Sequence, residues 1–210
     1  YYAQVSNYSQ SATLVDSSTY ALRVSGDFIN GNMIDLATRQ GGFETGVAPW
    51  KTANLNGDKK KCGGIGQTGT CAFSFKGGAG ENSSISQSFK NFGSFGLNAG
   101  DQFYVQYYIK TTNVLADGFK MSLKITYTDG TPATTKAITY GGTSGSYVAA
   151  WELITATSSA VKKVTVKFQN TSTSGQVLLD SVLLAFQPAP ARSTELLPPP
   201  SAPANFRGSN

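Results

Sequence analysis

The chain contains no histidine. No Ser-His-Asp or Cys-His catalytic arrangement is therefore available to it. Acidic residues are also scarce, 12 in 210. A glycosidase needs two carboxylates facing across a cleft. Glu81, Glu152, Asp117 and Asp129 instead fall on scattered expected turns and edges, with no motif joining them. Gly77-Gly78-Ala79-Gly80 lacks the Lys-Ser/Thr ending of a phosphate loop and reads as a turn. No run of apolar residues is long enough for a membrane-spanning helix. The expectation is a protein with no catalytic activity and no membrane span.

Charge is sparse too. Asp, Glu, Lys and Arg make up only 14% of the chain, while Gly, Ser, Thr and Asn abound, as suits an all-β surface protein. The balance is basic, with a net charge of +5 and a pI near 9.1. A basic surface attracts anionic glycans, anionic surfaces or nucleic acid. It is equally the ordinary property of a mildly basic β-sandwich. The one lysine run, Lys59-Lys60-Lys61, adjoins a Gly-rich loop, and no basic stripe is interleaved with aromatics for base stacking. Nucleic acid is not an expected partner.

There are two cysteines, Cys62 and Cys71, flanking a Gly-rich stretch. Two thiols without histidine make a poor zinc site, and the spacing is not Cys-x-x-Cys. The pair reads as one local disulfide, which agrees with export from the cell. The chain begins Tyr1-Tyr2-Ala3-Gln4, with neither an initiator Met nor a signal peptide. This is expected of a processed secreted chain or of a trimmed sequence. The expected location is extracellular or cell-surface.

Three zones follow from the pattern. Residues 1–31 are an N-terminal extension with strand character at Ala12–Val15 and Tyr20–Val24. Residues 187–210 are a Pro-rich extended tail or linker. Its Pro203–Arg207 looks like the first strand of a fibronectin-type-III domain. The core zone, 32–186, carries the fold. Phe103, Val105, Tyr107 and Ile109 alternate with polar neighbours, as do Met121, Leu123, Ile125 and Tyr127, and Val164, Val166 and Phe168. Successive strand residues face opposite sides, so each segment has one buried and one solvated side. Further strands are expected near 71–76, 83–89, 135–140, 147–154 and 176–186, with turns at Asp129-Gly130 and Gly141-Gly142. The expected class is an all-β antiparallel sandwich with extended N- and C-terminal arms.

The core opens with Gly41-Gly42-Phe43-Glu44-Thr45-Gly46 and Pro49-Trp50, and closes with Val177-Leu178-Leu179-Asp180-Ser181-Val182-Leu183-Leu184. This bracket resembles secreted β-jelly-roll modules of the carbohydrate-binding-module and galactose-binding-like group, over roughly residues 32–186. The resemblance implies a Phe-Glu turn lying beside the Leu-Asp strand. It also implies a structural Ca²⁺ between Glu44 and Asp180, with Gly42 and Lys76 supplying backbone oxygens. The sequence departs from the common pattern at Ser181, where a second Asp is frequent. Without an ion, Glu44 would cap a turn and Asp180 would be hydrogen-bonded. The Pro-Trp implies a core role for Trp50.

Sugars stack on Trp or Tyr while amides and carboxylates take up the hydroxyls. Tyr104 and Tyr108 lie on the polar side of their strand, with Gln106 between them and Lys124 as a neighbour, and Trp151 is a further candidate. Asn7, Asn82 and Asn170 head Asn-x-Ser/Thr sequons, which matter only in a host that glycosylates exported proteins. Two functions remain. One is a structural subunit of an extracellular filament or surface assembly, a homo-oligomer or polymer joined through the arms. The alternative is a polysaccharide-binding module of a larger secreted or cell-surface protein.

Overall fold

The computed structural model describes residues 32–34, 40–90, 92, 96–187 and 189. The segments of 1–31 expected to form strands, the tail beyond Ala189, and Asn7 lie outside the described residues.

Eleven strands are present among the described residues: β1 (Asn32–Ile34), β2 (Lys51–Ala53), β3 (Lys59–Cys62), β4 (Cys71–Lys76), β5 (Ser83–Lys90), β6 (Gln102–Thr112), β7 (Val114–Tyr127), β8 (Thr134–Gly142), β9 (Val148–Thr155), β10 (Val161–Asn170) and β11 (Gln176–Gln187). They form two antiparallel sheets. The first runs β3-β4-β11-β6-β9, with β1 also paired to β11. The second runs β2-β5-β10-β7-β8. The molecule is a β-sandwich of jelly-roll type.

Alternation decides what lies between the sheets. Phe103, Val105, Tyr107, Ile109, Leu123, Ile125, Val166 and Phe168 are all buried, as their spacing requires. Trp50 joins them, and its indole N–H donates to the Gln40 carbonyl (3.0 Å). The centre of the core is aromatic. Phe168 lies 6.0 Å from Trp50, 5.1 Å from Tyr107 and 6.3 Å from Phe119, ring centre to ring centre. The first is tilted, the second edge-on and the third stacked, and such ring contacts add to simple burial.

Three local readings are refined. Lys59–Lys61, beside the Gly-rich loop as expected, makes up most of β3, which is the outermost described strand on its side of the sheet and pairs with β4. Lysines on an edge discourage pairing with another chain. Gly141-Gly142 ends β8 rather than forming a turn, and β11 extends to Gln187, one residue past the expected boundary. The turn at 77–80 is confirmed, and its first glycine has a steric reason. Gly77 donates to the Gly175 carbonyl (2.8 Å), and a Cβ there would lie 2.1 Å from the Ser174 oxygen.

Candidate functional site

The outer face of the first sheet carries a shallow groove of about 300 Å³, lined by Tyr104, Gln106, Trp151, Leu153 and Gln187. Register explains the gathering. Gln106 on β6 lies opposite Trp151 on β9, and Tyr104 lies opposite Leu153. On the other flank, Tyr104 faces Ala185 of β11 and Gln102 faces Gln187. Directly opposed strand residues point to the same face. Two rings, two amides and a leucine therefore share one surface.

Trp151 stands out in this set. It is 69% exposed, although it is the second of only two tryptophans and the other is buried. A ring left open on a strand is a stacking surface. No carboxylate or ammonium lines the groove. Glu152, next to Trp151 in sequence, opposes the buried Val105 on the inward side. It pairs with Lys136 (3.4 Å) where the sheet margins meet.

The structure unites Tyr104 and Gln106 with Trp151. Tyr108 is on the same outer face but one pleat further along, opposite Ala149 and outside the groove. Lys124 lies on β7 in the other sheet and cannot join this set. Leu153 and Gln187 carry no sequence motif. Only strand pairing brings them in.

A second cluster surrounds the disulfide. Cys62 and Cys71 are joined, with S–S 2.04 Å. The loop they close carries a row of backbone N–H groups. Gln67 and Thr68 donate to Asp180 Oδ2 (2.7 and 3.0 Å). Thr70 and Cys71 donate to Glu44 Oε1 (3.1 and 2.9 Å). The Thr70 hydroxyl donates to Glu44 Oε2 (3.1 Å), and the Ser181 N–H to Asp180 Oδ1 (2.6 Å). Gly69 makes the close approach possible. Its φ is +72°, and a Cβ there would lie 2.5 Å from Glu44 Oε1. The loop is thus a clasp tying the Phe-Glu turn to the Leu-Asp strand.

The Cys71 N–H, with help from Thr70 and the Lys60 charge, holds the Glu44 carboxyl below its ordinary value. Asp180 is fully buried, and burial pushes its carboxyl up. The N–H bonds of Thr68, Ser181 and Gln67 oppose that shift, and the Glu44 charge adds to it.

These residues do not fit a calcium ion in this arrangement. Calcium requires six to eight oxygens with free lone pairs. Here every carboxylate oxygen of Glu44 and Asp180 faces a hydrogen-bond donor. The Lys60 ammonium donates to the Glu44 carbonyl as well (2.8 Å). Gly42 is buried in the turn. Lys76 is at the far end of β4 opposite Gln176, and its carbonyl accepts from Asn170 Nδ2 (3.3 Å). Among the described residues no group of three or more His, Cys, Asp or Glu side chains is placed to hold a metal.

The sequons differ in access. Asn82 is exposed. Asn170 is 1% exposed, with Nδ2 given to Lys76 and Oδ1 accepting from the Ser172 N–H (3.2 Å). That burial corrects the expectation of a glycan acceptor at Asn170 in the folded protein.

Comparison of the fold places it among known sandwiches. A family 16 carbohydrate binding module superposes with a TM-score of 0.54 at 13% identity, covering 69% of this chain and 96% of that one. The C-terminal family 22 carbohydrate binding module of Clostridium thermocellum Xyn10B gives 0.51 at 15%, covering 78% and 98%. The fold is a carbohydrate-binding-module-type jelly roll. A cyclase from Fischerella sp. TAU, solved with 4-(1H-indol-3-yl)butan-2-one, shares the jelly roll at 0.51 and 12% identity, covering 72% and 96%. The same architecture therefore carries binding modules and an enzyme, and the residues on it must decide between them. No family model matches the sequence, nor does any curated protein.

Proposed function

We propose that the protein is a non-catalytic carbohydrate-binding module of a secreted or cell-surface protein, and that it binds a neutral glycan in the Tyr104–Trp151 groove. The observation that carries this reading is the 69% exposed indole of Trp151 standing across the strands from Gln106. A pyranose laid on the indole would bury its CH face. Gln106 and Gln187 offer amide donors and acceptors to the hydroxyls. The absence of charge from the lining favours a neutral sugar. The disulfide supports an oxidising compartment. The filament expectation rests on the arms 1–31 and 187–210, of which only Gln187 and Ala189 are described. The groove lies wholly on described residues.

Covering about 100 Å² of the ring contributes roughly 2.5 kcal/mol at about 25 cal/mol per Å². Trp151→Ala is accordingly expected to weaken binding at least about tenfold. The measurement is calorimetric titration with xylo-, cello-, manno- and galacto-oligosaccharides, alongside tryptophan fluorescence. Trp50 is buried, so a ligand-induced change should come from Trp151. Wild-type protein that binds none of these sugars, or a Trp151→Ala variant that binds as tightly as wild type, defeats the reading.

A further inference from the structure

The outer face of the second sheet bears a different chemistry from the groove. Strand register sets its composition. Lys90 of β5 opposes Lys163 of β10, and Lys51 of β2 and Lys167 of β10 both flank Ser86. On β7, Lys124 opposes Thr165 and Lys120 opposes Gln169 of β10. These six lysines therefore share one face, and the positions among them are filled mainly by Ser and Thr, as with Ser88 and Thr165, bonded at 2.9 Å. The net charge of the whole chain is only +5, so this face concentrates the basic excess.

Among the described residues no acid forms an ion pair with it. Among the described residues the one ion pair is Lys136 to Glu152, and neither belongs to this face. Asp117, at one margin, accepts from the Thr139 hydroxyl (2.5 Å), and Asp129 accepts from Ser158 (2.6 Å). Like charges placed directly opposite on a sheet are destabilising. The Lys90–Lys163 pair is such a placement. A local rule broken without local compensation points to a ligand that supplies the missing charge.

The geometry describes that ligand. Along β10 and β7, Lys163, Lys124, Lys167 and Lys120 alternate from strand to strand, one pleat row at a time. Rows on one side of a strand lie about 7 Å apart, and neighbouring strands about 4.8 Å. The backbone positions that carry these lysines thus form a zigzag with steps of roughly 8 Å across the sheet. An extended polymer with regularly spaced anions fits this track. The strand positions of the face present no aromatic ring, so nucleic-acid bases have nothing to stack on. They present no large apolar side chain either, so a bilayer gains no buried area.

We infer that the outer face of the second sheet is a binding surface for a linear acidic polysaccharide, held by Lys120, Lys124, Lys163 and Lys167 with Lys51 and Lys90 flanking. The site is independent of the groove on the opposite sheet. One sandwich then joins two glycans, a neutral one by stacking and an acidic one by charge.

The test is binding of the full chain to immobilised polygalacturonate, which carries carboxylates, and to dextran sulfate, which carries sulfates. The two arms identify the preferred anion. Four lysine contacts predict a fall in affinity of roughly 50-fold between about 50 mM and about 200 mM salt. Two triple variants lose the same charge: K124Q/K163Q/K167Q on the face, and K59Q/K61Q/K110Q elsewhere. The face variant should lose at least about tenfold in affinity and show a shallower salt dependence, with a melting midpoint no lower than wild type, since K163Q relieves the Lys90–Lys163 opposition. The second variant should bind within about twofold of wild type. Equal losses in both variants mean that net charge alone is responsible, and the site is refuted. It is also refuted if wild type binds neither polymer at low salt. Equal or tighter binding to single-stranded oligonucleotide or to vesicles containing phosphatidylserine overturns the identification of the ligand as a polysaccharide.

Discussion

Opening the Cys62–Cys71 disulfide should destabilise the module, whereas a chelator should leave it unchanged. The perturbation is either reduction or the paired change Cys62→Ala/Cys71→Ala. The two cysteines are 9 residues apart. In the chain-entropy account, closing a loop of that size removes about 2.5 kcal/mol of unfolded-state freedom. The structure adds a second contribution. The loop presents the Gln67 and Thr68 N–H groups to the buried Asp180, and those of Thr70 and Cys71 to Glu44. A loosened loop holds them less well. A buried carboxylate that loses its donors costs about 1–3 kcal/mol per bond. Glu44 is exposed, so its bonds count for little. The expected loss is about 3–5 kcal/mol. At roughly 2–4 °C per kcal/mol for a chain of this size, the melting midpoint should fall by about 6–20 °C. The assay is thermal and urea unfolding with and without reductant, and with and without EDTA. An ion bound only by the folded state would stabilise by mass action, and chelation would remove that stability. A midpoint that drops on chelation but not on reduction would refute the argument, and would restore calcium as the link between Glu44 and Asp180.

Two further outcomes test the core and the pH response. Phe168→Ala empties the point where Trp50, Tyr107 and Phe119 converge. It should cost about 3–5 kcal/mol, read as a shift in urea midpoint, and a loss under about 1 kcal/mol would contradict the packing. Asp129 is held down to about 2, chiefly by the Ser158 hydroxyl and then by Thr131. A lowered carboxyl stabilises above its unfolded value of 3.8 and loses that stability as pH falls towards about 2. The difference in melting midpoint between wild type and Asp129→Asn should therefore narrow from about pH 5 to about pH 2. A difference that stays constant over that range would count against it.

Much of this molecule is written in local pattern. Period-two alternation marks Phe103–Ile109, Met121–Tyr127 and Val164–Phe168 as half-buried strands, because the pleat alone sends alternate side chains to opposite faces. The Cys62–Cys71 pairing is legible from spacing, and the core position of Trp50 from resemblance. The sites are a different matter. Alternation says that Trp151 and Glu152 face opposite ways, but not which of them meets the core. That depends on which strand takes the place beside β6. Leu153 and Gln187 enter the groove, and Lys124 leaves it, for the same reason. The six lysines from Lys51 to Lys167 sit on four different strands, and pairing partners with their relative register bring them to one face. Glu44 and Asp180 are visible as a pair of carboxylates, yet their partners are backbone N–H groups of an intervening loop, which side-chain identity does not reveal. Sequence by itself determined the longer strands and the inward sides of β6, β7 and β10, since those follow from the pleat and the apolar pattern along the chain; the short β1, β2 and β3 and the sidedness of β9 did not show in it. The tertiary structure alone decided the groove, the clasp and the lysine face, since each is an alignment between strands distant in the chain.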